Sequence, residues 1–370
     1  MKNHFAGYFS SGPTRKFKGW NLNLLSDACV GRSHRSEIAK EKLKEVIERS
    51  RKLLKLPDDF KLAIVPGSAT GAIETAMWNL LGSQSVVCHV IDVFSNLWAE
   101  DILELNLNAS ISNPDEWGDL PELTYNPEAD LVITLNGTTS GVYYDDLSWI
   151  PSERENIVIA DATSSAFVMP VDFEKVDAYC FSWQKGLGSE AAHGMLALSP
   201  RALEKIENYT PAWNIPRLFN LQRNEKVNWQ LFEGMTTNTP SMLCVEDCLV
   251  SLKWAEALGG LDAMMMKAKD NLETLKKHVE AEDIFRFSSS NPSYASPCLI
   301  VKPFETRERE EHFNILRQIA QKIAAQGLAF DIVNHAFAFP AFRLWCGPTT
   351  EKEDIDKLMP VLLQEIQHFI

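Results

Sequence analysis

The sequence predicts an α/β fold: a large domain with a mostly parallel sheet flanked by helices, and a smaller α+β domain at the C-terminal end. Three observations carry this. Short apolar runs bounded by turn residues alternate with helical patterns over the first two thirds of the chain. Those runs are near-continuously apolar, as strands buried on both faces are. Beyond about Pro240 the texture changes to longer amphipathic helices with strand candidates among them. The expected division is 1–240 for the N-terminal segment and large domain and 241–370 for the small domain.

Taken in order, Ser36 is placed to cap a helix running to about Leu54, with Ile38, Leu43, Val46, Ile47, Leu53 and Leu54 as its buried side. Lys61–Val65 reads as a strand, and Pro66-Gly67-Ser68-Ala69-Thr70-Gly71 as the turn into a helix over Ala72–Leu81. Further strands are expected at 85–91, 131–135, 157–160, 178–182 and 195–198. In the last third, helices are expected over 241–258, over 307–326 with Gly327 as its stop, and from Lys352 to the end. Strands are expected near 298–301, 329–333 and 342–346.

The bulk composition excludes several classes. With 370 residues and 45% hydrophobic content there is enough chain for a sizeable core. A formal charge of −14 without a basic stripe argues against nucleic acid, so an anionic substrate has to be held by a few local cations. The seven cysteines lack CxxC spacing, which implies reduced thiols and a cytoplasmic location. Cys244 and Cys248 share a helical face but read as core thiols. No metal site is expected. The start, Met1-Lys2-Asn3-His4-Phe5, lacks a signal-peptide core, and no apolar run approaches the length of a membrane span.

The chemistry is concentrated at strand ends, where open parallel sheets bind ligands. Cys180-Phe181-Ser182-Trp183-Gln184 runs into a single lysine, Lys185, followed by Gly186 and Gly188. Upstream, Ile157–Ala160 runs into Asp161. A strand-end lysine and a strand-end acid match the needs of pyridoxal phosphate. The amine condenses with the cofactor's aldehyde, and the carboxylate keeps the ring nitrogen protonated. Gly67-Ser68-Ala69-Thr70 offers backbone N–H groups and hydroxyls for a phosphate, although a plain N-cap turn reads the same way. Phe94 can stack on a flat ring, or serve as a core aromatic. Asn136-Gly137-Thr138 offers side-chain donors, or a satisfied loop cluster. Five such ends on one sheet make coincidence a poor explanation.

Ser182-Trp183-Gln184-Lys185-Gly186-Leu187-Gly188-Ser189-Glu190-Ala191-Ala192-His193-Gly194, continuing to Tyr209-Thr210-Pro211-Ala212-Trp213, resembles the phosphoserine aminotransferase family within the class V aminotransferases, a group of fold type I pyridoxal-phosphate enzymes. The branch resembled is the one found in archaea and some bacteria. Phe9–Pro13, Ser33-His34-Arg35-Ser36, Thr237-Asn238-Thr239-Pro240 and Phe342-Arg343-Leu344-Trp345 agree with it. The resemblance implies Lys185 as the Schiff-base lysine, Asp161 as the partner of the ring nitrogen, Phe94 on the ring and Thr138 on its phenolic oxygen. It implies Ser68, Ala69, Thr163 and Gln184 around the cofactor phosphate. Asn238 and Thr239 would be given to that phosphate by a second subunit, hence a homodimer with shared sites. Arg343 would grip the substrate α-carboxylate through its fork of donors. His34 and Arg35 would hold the substrate phosphate.

Two departures stand out. No arginine occupies the 67–70 turn, where the enteric-type branch has one. His335 lies in a segment, 334–340, that matches poorly where some relatives place a histidine near the substrate phosphate; a satisfied structural histidine is the alternative. The implied reaction converts O-phospho-L-serine and 2-oxoglutarate into 3-phosphohydroxypyruvate and L-glutamate in serine biosynthesis, with phosphohydroxythreonine of vitamin B6 biosynthesis as a possible second substrate. The rival readings are another class V activity, such as alanine–glyoxylate transamination or cysteine desulfuration, and a non-catalytic scaffold. Cys298 and Cys346 fall in apolar strands, not on a mobile loop as a desulfurase requires. Intact Lys185 and Asp161 argue against a scaffold.

Overall fold

A computed structural model describes residues 8–370; the expectation about the Met1–Phe5 start lies outside the described residues. Helix α1 spans Glu37–Leu54, followed by β1 (Lys61–Pro66), α2 (Ser68–Leu80), β2 (Ser85–His89), α3 (Val93–Glu104) and β3 (Ala109–Ser112). Then come β4 (Ala129–Thr134), β5 (Val158–Asp161), β6 (Ala178–Ser182), β7 (His193–Leu198), α4 (Pro200–Asn208) and the short pair β8 (Gln222–Arg223) and β9 (Lys226–Val227). Helices α5 (Met242–Leu258) and α6 (Gly260–Ala281) precede β10 (Phe285–Phe287), β11 (Cys298–Val301), α7 (Arg309–Ala325), β12 (Phe342–Arg343) and α8 (Lys352–Gln367).

Seven strands form the main sheet in the order β1-β7-β6-β5-β4-β2-β3. Only β7 runs against the rest, pairing antiparallel with both β1 and β6. Strands β1, β2, β4, β5 and β6 therefore direct their carboxyl ends to one edge. Every residue of β4, β5 and β6 is buried. Their Val, Ile, Leu and Ala side chains join two cores, one on each sheet face. Such burial contributes about 1.5–3 kcal/mol per large apolar side chain and makes the edge a rigid platform. A second sheet, β10-β11-β12, packs with α6, α7 and α8 around a third core. Helix α5 buries Val245, Cys248, Leu249 and Leu252 in the core that α1 shares with the main sheet.

Several expectations need correction. Ile38 is 44% exposed, because α1 turns Ala39, Leu43, Val46 and Ile47 inward instead. Ser36 holds the N-cap position but makes no side-chain cap; its hydroxyl donates to the Ser33 carbonyl at 2.7 Å. Helix α2 begins at Ser68, so 68–70 form its first turn and not a preceding loop. The expected strand 329–333 is reduced to a single bridge, Val333 to Phe342, since Asp331 takes a left-handed φ of 54° that breaks extended pairing. Strand 342–346 ends at Arg343; Leu344, Trp345 and Cys346 donate instead to the carbonyls of Pro297, Phe9 and Ala295. Helices α3, α4 and α6 and strands β3, β8, β9 and β10 have no counterpart among the expected elements.

Gly71 shows how tightly α2 sits on the sheet. A Cβ there would lie 1.9 Å from the Pro66 carbonyl oxygen, a backbone atom that cannot step aside. Gly71→Ala is expected to cost at least about 2 kcal/mol, by analogy with overpacked cores. The midpoint of thermal unfolding, followed by circular dichroism, is expected to fall by several degrees, whereas Gly327→Ala, with nothing within 4 Å, should lose less.

Candidate active site

Each strand end on the shared edge delivers one part of a cavity of about 290 Å³. Its wall contains Gly12, Pro13, Ala69, Thr70, Asp92, Phe94, Trp98, Thr134, Asn136, Thr138, Asp161, Thr163, Gln184, Lys185 and Ala191. Seven expected residues thus come together: Ala69, Phe94, Thr138, Asp161, Thr163, Gln184 and Lys185.

Asp161 closes β5 and is 3% exposed. Its Oδ1 accepts from the Thr163 amide at 2.8 Å and the Thr163 hydroxyl at 2.5 Å, and its Oδ2 accepts from Trp98 Nε1 at 2.9 Å. Burial pushes this carboxyl above the usual range, opposed by the bonds from Thr163 and Trp98. Lys185, 6% exposed, donates from Nζ to the Ser11 carbonyl. Burial, then the neighbouring Arg343 cation, draws its amine down to about 7, while Asp161 and Asp92 pull the other way. The loop carrying Lys185 is stitched to the N-terminal segment. The Lys185 carbonyl accepts from the Thr14 hydroxyl at 2.7 Å, and the Thr14 amide donates to the Gln184 carbonyl at 2.9 Å.

Asp92 is the hub of the opposite wall. As N-cap of α3 it accepts from the amides of Phe94 and Ser95, completing a capping box, and its Oδ2 accepts from the Thr139 amide and hydroxyl at 3.2 Å. The ring of Phe94 and the loop of Thr138 are thereby held together. The Thr138 hydroxyl donates to Ser164 at 2.8 Å.

The remaining expected residues lie outside this wall. Ser68 turns its amide to the Ala192 carbonyl. Arg343 has a buried Nε with no hydrogen-bond partner and lies close enough to Lys185 to act on its amine. His335 is exposed, its ring 6.3 Å from that of Phe94. His34 is half-buried and Arg35 exposed at the start of α1; Asn238 is half-buried and Thr239 exposed before α5. Sequence reasoning missed Asp92 and Trp98. A signal existed: Asp92 and Ser95 have capping-box spacing, and Phe94 and Trp98 lie i, i+4 on the helix that follows.

Pyridoxal phosphate fits this donor set. Thr134 Oγ1 and Asn136 Oδ1, both in the wall, are buried without partners. Ala69 and Thr70, in the first turn of α2, line the cavity at a helix end whose dipole favours an anion. An amine whose charge is weakened by burial, sharing a cavity with a carboxylate shielded from water, suits chemistry on that cofactor. The cavity thus offers the parts that cofactor needs, gathered at the carboxyl edge of the main sheet.

The profile of the Aminotransferase class-V family matches residues 16–356. The chain is 42% identical over 352 residues to the phosphoserine aminotransferase of Methanosarcina mazei, covering 95% of this chain and 94% of that one. It belongs to the class V aminotransferases and, within them, to the phosphoserine aminotransferase family. Among solved structures, a phosphoserine aminotransferase from Cytophaga hutchinsonii superposes with a TM-score of 0.81 at 20% identity, over 99% of this chain and 100% of that one. An alanine–glyoxylate aminotransferase from Nostoc gives 0.76 at 16%, over 98% and 95%. The fold is therefore shared across activities.

The Lys185 environment is directly measurable. Only the neutral amine reacts with acylating reagents, so in cofactor-free protein its labelling should be half-maximal near pH 7, against about 10.5 for an unperturbed lysine. Arg343→Gln removes a repelling charge and should move that midpoint upward, short of the unperturbed value because burial remains. Competitive acetylation read by peptide mass spectrometry follows both.

Proposed function

We propose that this protein transfers the amino group between O-phospho-L-serine and 2-oxoglutarate, giving 3-phosphohydroxypyruvate and L-glutamate, the amino-group transfer of serine biosynthesis. The observation that carries the reading is the buried Lys185 amine beside buried Asp161 in a cavity with Phe94 and Thr138. The 42% identity to a phosphoserine aminotransferase supports the choice of substrate.

Bound pyridoxal phosphate supplies an aldehyde for the amino group and a ring that takes up the electron pair left when the α-proton departs. The protein does the rest. Lys185 Nζ takes the α-proton and returns one on the other side of the transfer, acting as base and then acid. An amine with its midpoint near 7 serves both directions at neutral pH. Asp161 would hold a negative charge opposite the ring nitrogen. Phe94 would cover the ring, and Thr138 would turn to the phenolic oxygen the hydroxyl that here donates to Ser164. Ala69, Thr163 and Gln184 from the cavity wall, with Ser68 beside it, would surround the phosphate. Arg343, whose Nε lacks a partner, takes the substrate α-carboxylate as a bidentate fork. His34 and Arg35 hold the substrate phosphate, with His335 beside Phe94 as a further contact.

We also propose a homodimer with shared sites. Asn238 and Thr239 stand outside the cavity wall of their own chain, as donors to a partner's cofactor phosphate would. Leu22, Leu24, Val30 and Leu243 are exposed apolar side chains on the segments around α1 and α5, a suitable start for a buried face. The protein is assigned to the cytoplasm: all seven cysteines are free, and no helix among the described residues is long and apolar enough to cross a membrane.

Half-transamination tests the substrate. Phosphoserine should change the visible spectrum of the bound cofactor far faster than alanine, serine or cysteine; a preference for any of those would overturn the proposal. In Arg35→Ala, kcat/KM for phosphoserine should drop at least about tenfold more than for glutamate, since one hydrogen bond to a charged group is lost. Equal drops would remove Arg35 from phosphate recognition.

The shared site has its own test. Lys185→Ala and Asn238→Ala/Thr239→Ala proteins, each inactive, are mixed and allowed to exchange subunits. Heterodimers should recover activity at the one site that receives both intact halves. Proven exchange without recovery would show that each site is built from a single chain.

A further inference from the structure

Asp161 receives hydrogen bonds from two directions, and one of them comes from another element. Thr163 lies two residues along and belongs to the same turn, so its bonds to Oδ1 come with the local backbone. Trp98 is 63 residues away on α3, is 4% exposed, and spends its only polar atom on Oδ2 at 2.9 Å. The indole is a donor and never an acceptor, so this bond can form only with an oxygen that offers a lone pair. A protonated carboxyl would place its hydrogen on one oxygen and lose part of this accepting capacity.

We infer that Trp98 is a positioning residue for the reaction: its indole N–H aims the Asp161 carboxylate and keeps it ionised, extending to lower pH the range over which the cofactor's ring nitrogen is held. The inference rests on the reading of Asp161 as the partner of that nitrogen.

The surroundings leave this task to few groups. On β5 and its turn there is Thr163. From α3 come Trp98 and the Asp92 carboxylate, and Asp92 disfavours a second negative charge. From β6 comes Cys180, whose buried thiol is held neutral in part by Asp161 itself. From the loop after β6 comes the Lys185 amine, half-neutral near pH 7 and repelled by Arg343. Helix α2, packed on the same strand, brings Glu74, whose charged neighbour is Asp101. Beside a dry carboxylate with one acidic neighbour and a weakened cation, the two neutral donors are the steady source of stabilisation. Burial pushes the Asp161 carboxyl up, and the Trp98 bond opposes it.

The helix geometry serves the same end. Phe94 and Trp98 lie i, i+4 on α3, and Asp92 locks the start of that helix to the Thr138 loop. One rigid helix thus brings the ring-covering Phe94 and the donor that steadies Asp161.

The test uses full-length protein in a Lys185→Ala background, so that pyridoxal phosphate binds without a covalent bond. Affinity for pyridoxal phosphate is measured by absorbance from acid to neutral pH. Binding should weaken on the acid side once Asp161 takes up a proton, because the protonated acid and the protonated ring together carry one proton too many. Trp98→Phe should move that acid midpoint up by about one to two pH units, the roughly ten- to hundredfold effect of a hydrogen bond to a charged group. A benzothienyl alanine at position 98, with sulfur in place of the N–H and the same shape, should do the same without a cavity. The cofactor's own phosphate titrates in this range in every variant, so the comparison is between variants: in the Asp161→Asn background Trp98→Phe should shift nothing. An unshifted midpoint in the benzothienyl protein, even with uniformly weaker binding, would reduce Trp98 to packing and overturn the inference while leaving Asp161 in place. A Trp98→Phe shift that persists in the Asp161→Asn background would overturn the role of Asp161 and this inference with it.

Discussion

A lysine amine and an aspartate carboxylate buried on one sheet edge impose more on this structure than any other interaction. Neither charge is solvated, and an unsupported buried charge is costly enough that the group changes its protonation state instead. Asp161 is held by three donated bonds, from Thr163 and Trp98. Lys185 has a carbonyl partner in Ser11 and is partly relieved of its charge. The strands, the first turns of α2 and α3 and the N-terminal segment all end at this pair.

That demand explains why segments distant along the chain converge. The 8–16 segment runs between the Lys185 loop and the second sheet. Trp345 donates to the Phe9 carbonyl at 3.0 Å on one side, and Thr14 bonds the Gln184–Lys185 backbone on the other. Gly188, at φ 62°, lets the Lys185 loop pass beneath it, since a Cβ there would lie 2.4 Å from the Arg15 carbonyl oxygen. Asn334, in the loop before β12, donates to the Thr139 carbonyl at 2.7 Å. The cavity is thus closed by parts of the chain that share no local pattern.

The legible part of the site was the part written at strand ends. Lys185, Asp161 and Thr138 each come shortly after a mainly apolar run that reads as a buried strand, so their place at the sheet edge was an expectation local chemistry supports. Trp98 and Asp92 follow no such rule. Helix α3 buries Ser95, Trp98, Ala99 and Ile102, a stripe interrupted by small and polar residues that blunts the helical signal. Ile38 shows the opposite failure: it fits a helical pattern but points outward from the first turn of α1, where Ala39 takes the inward place. The strand expected at 329–333 was lost to one left-handed residue, Asp331, which no periodicity reveals.

The sequence by itself determined the alternation of buried strands and helices, the common edge at which Lys185 and Asp161 stand, and the motifs that mark the family. These depend on spacing within a few residues, which the chain carries in any conformation. Tertiary structure decided which side chains meet across that edge: Trp98 on Asp161, Asp92 on Thr139, Ser11 on Lys185, and Arg343 near enough to lower the amine. It also decided how dry each group is. Hydrogen bonding and desolvation depend on atoms brought together from distant positions, and their direction and strength exist only once the chain has packed.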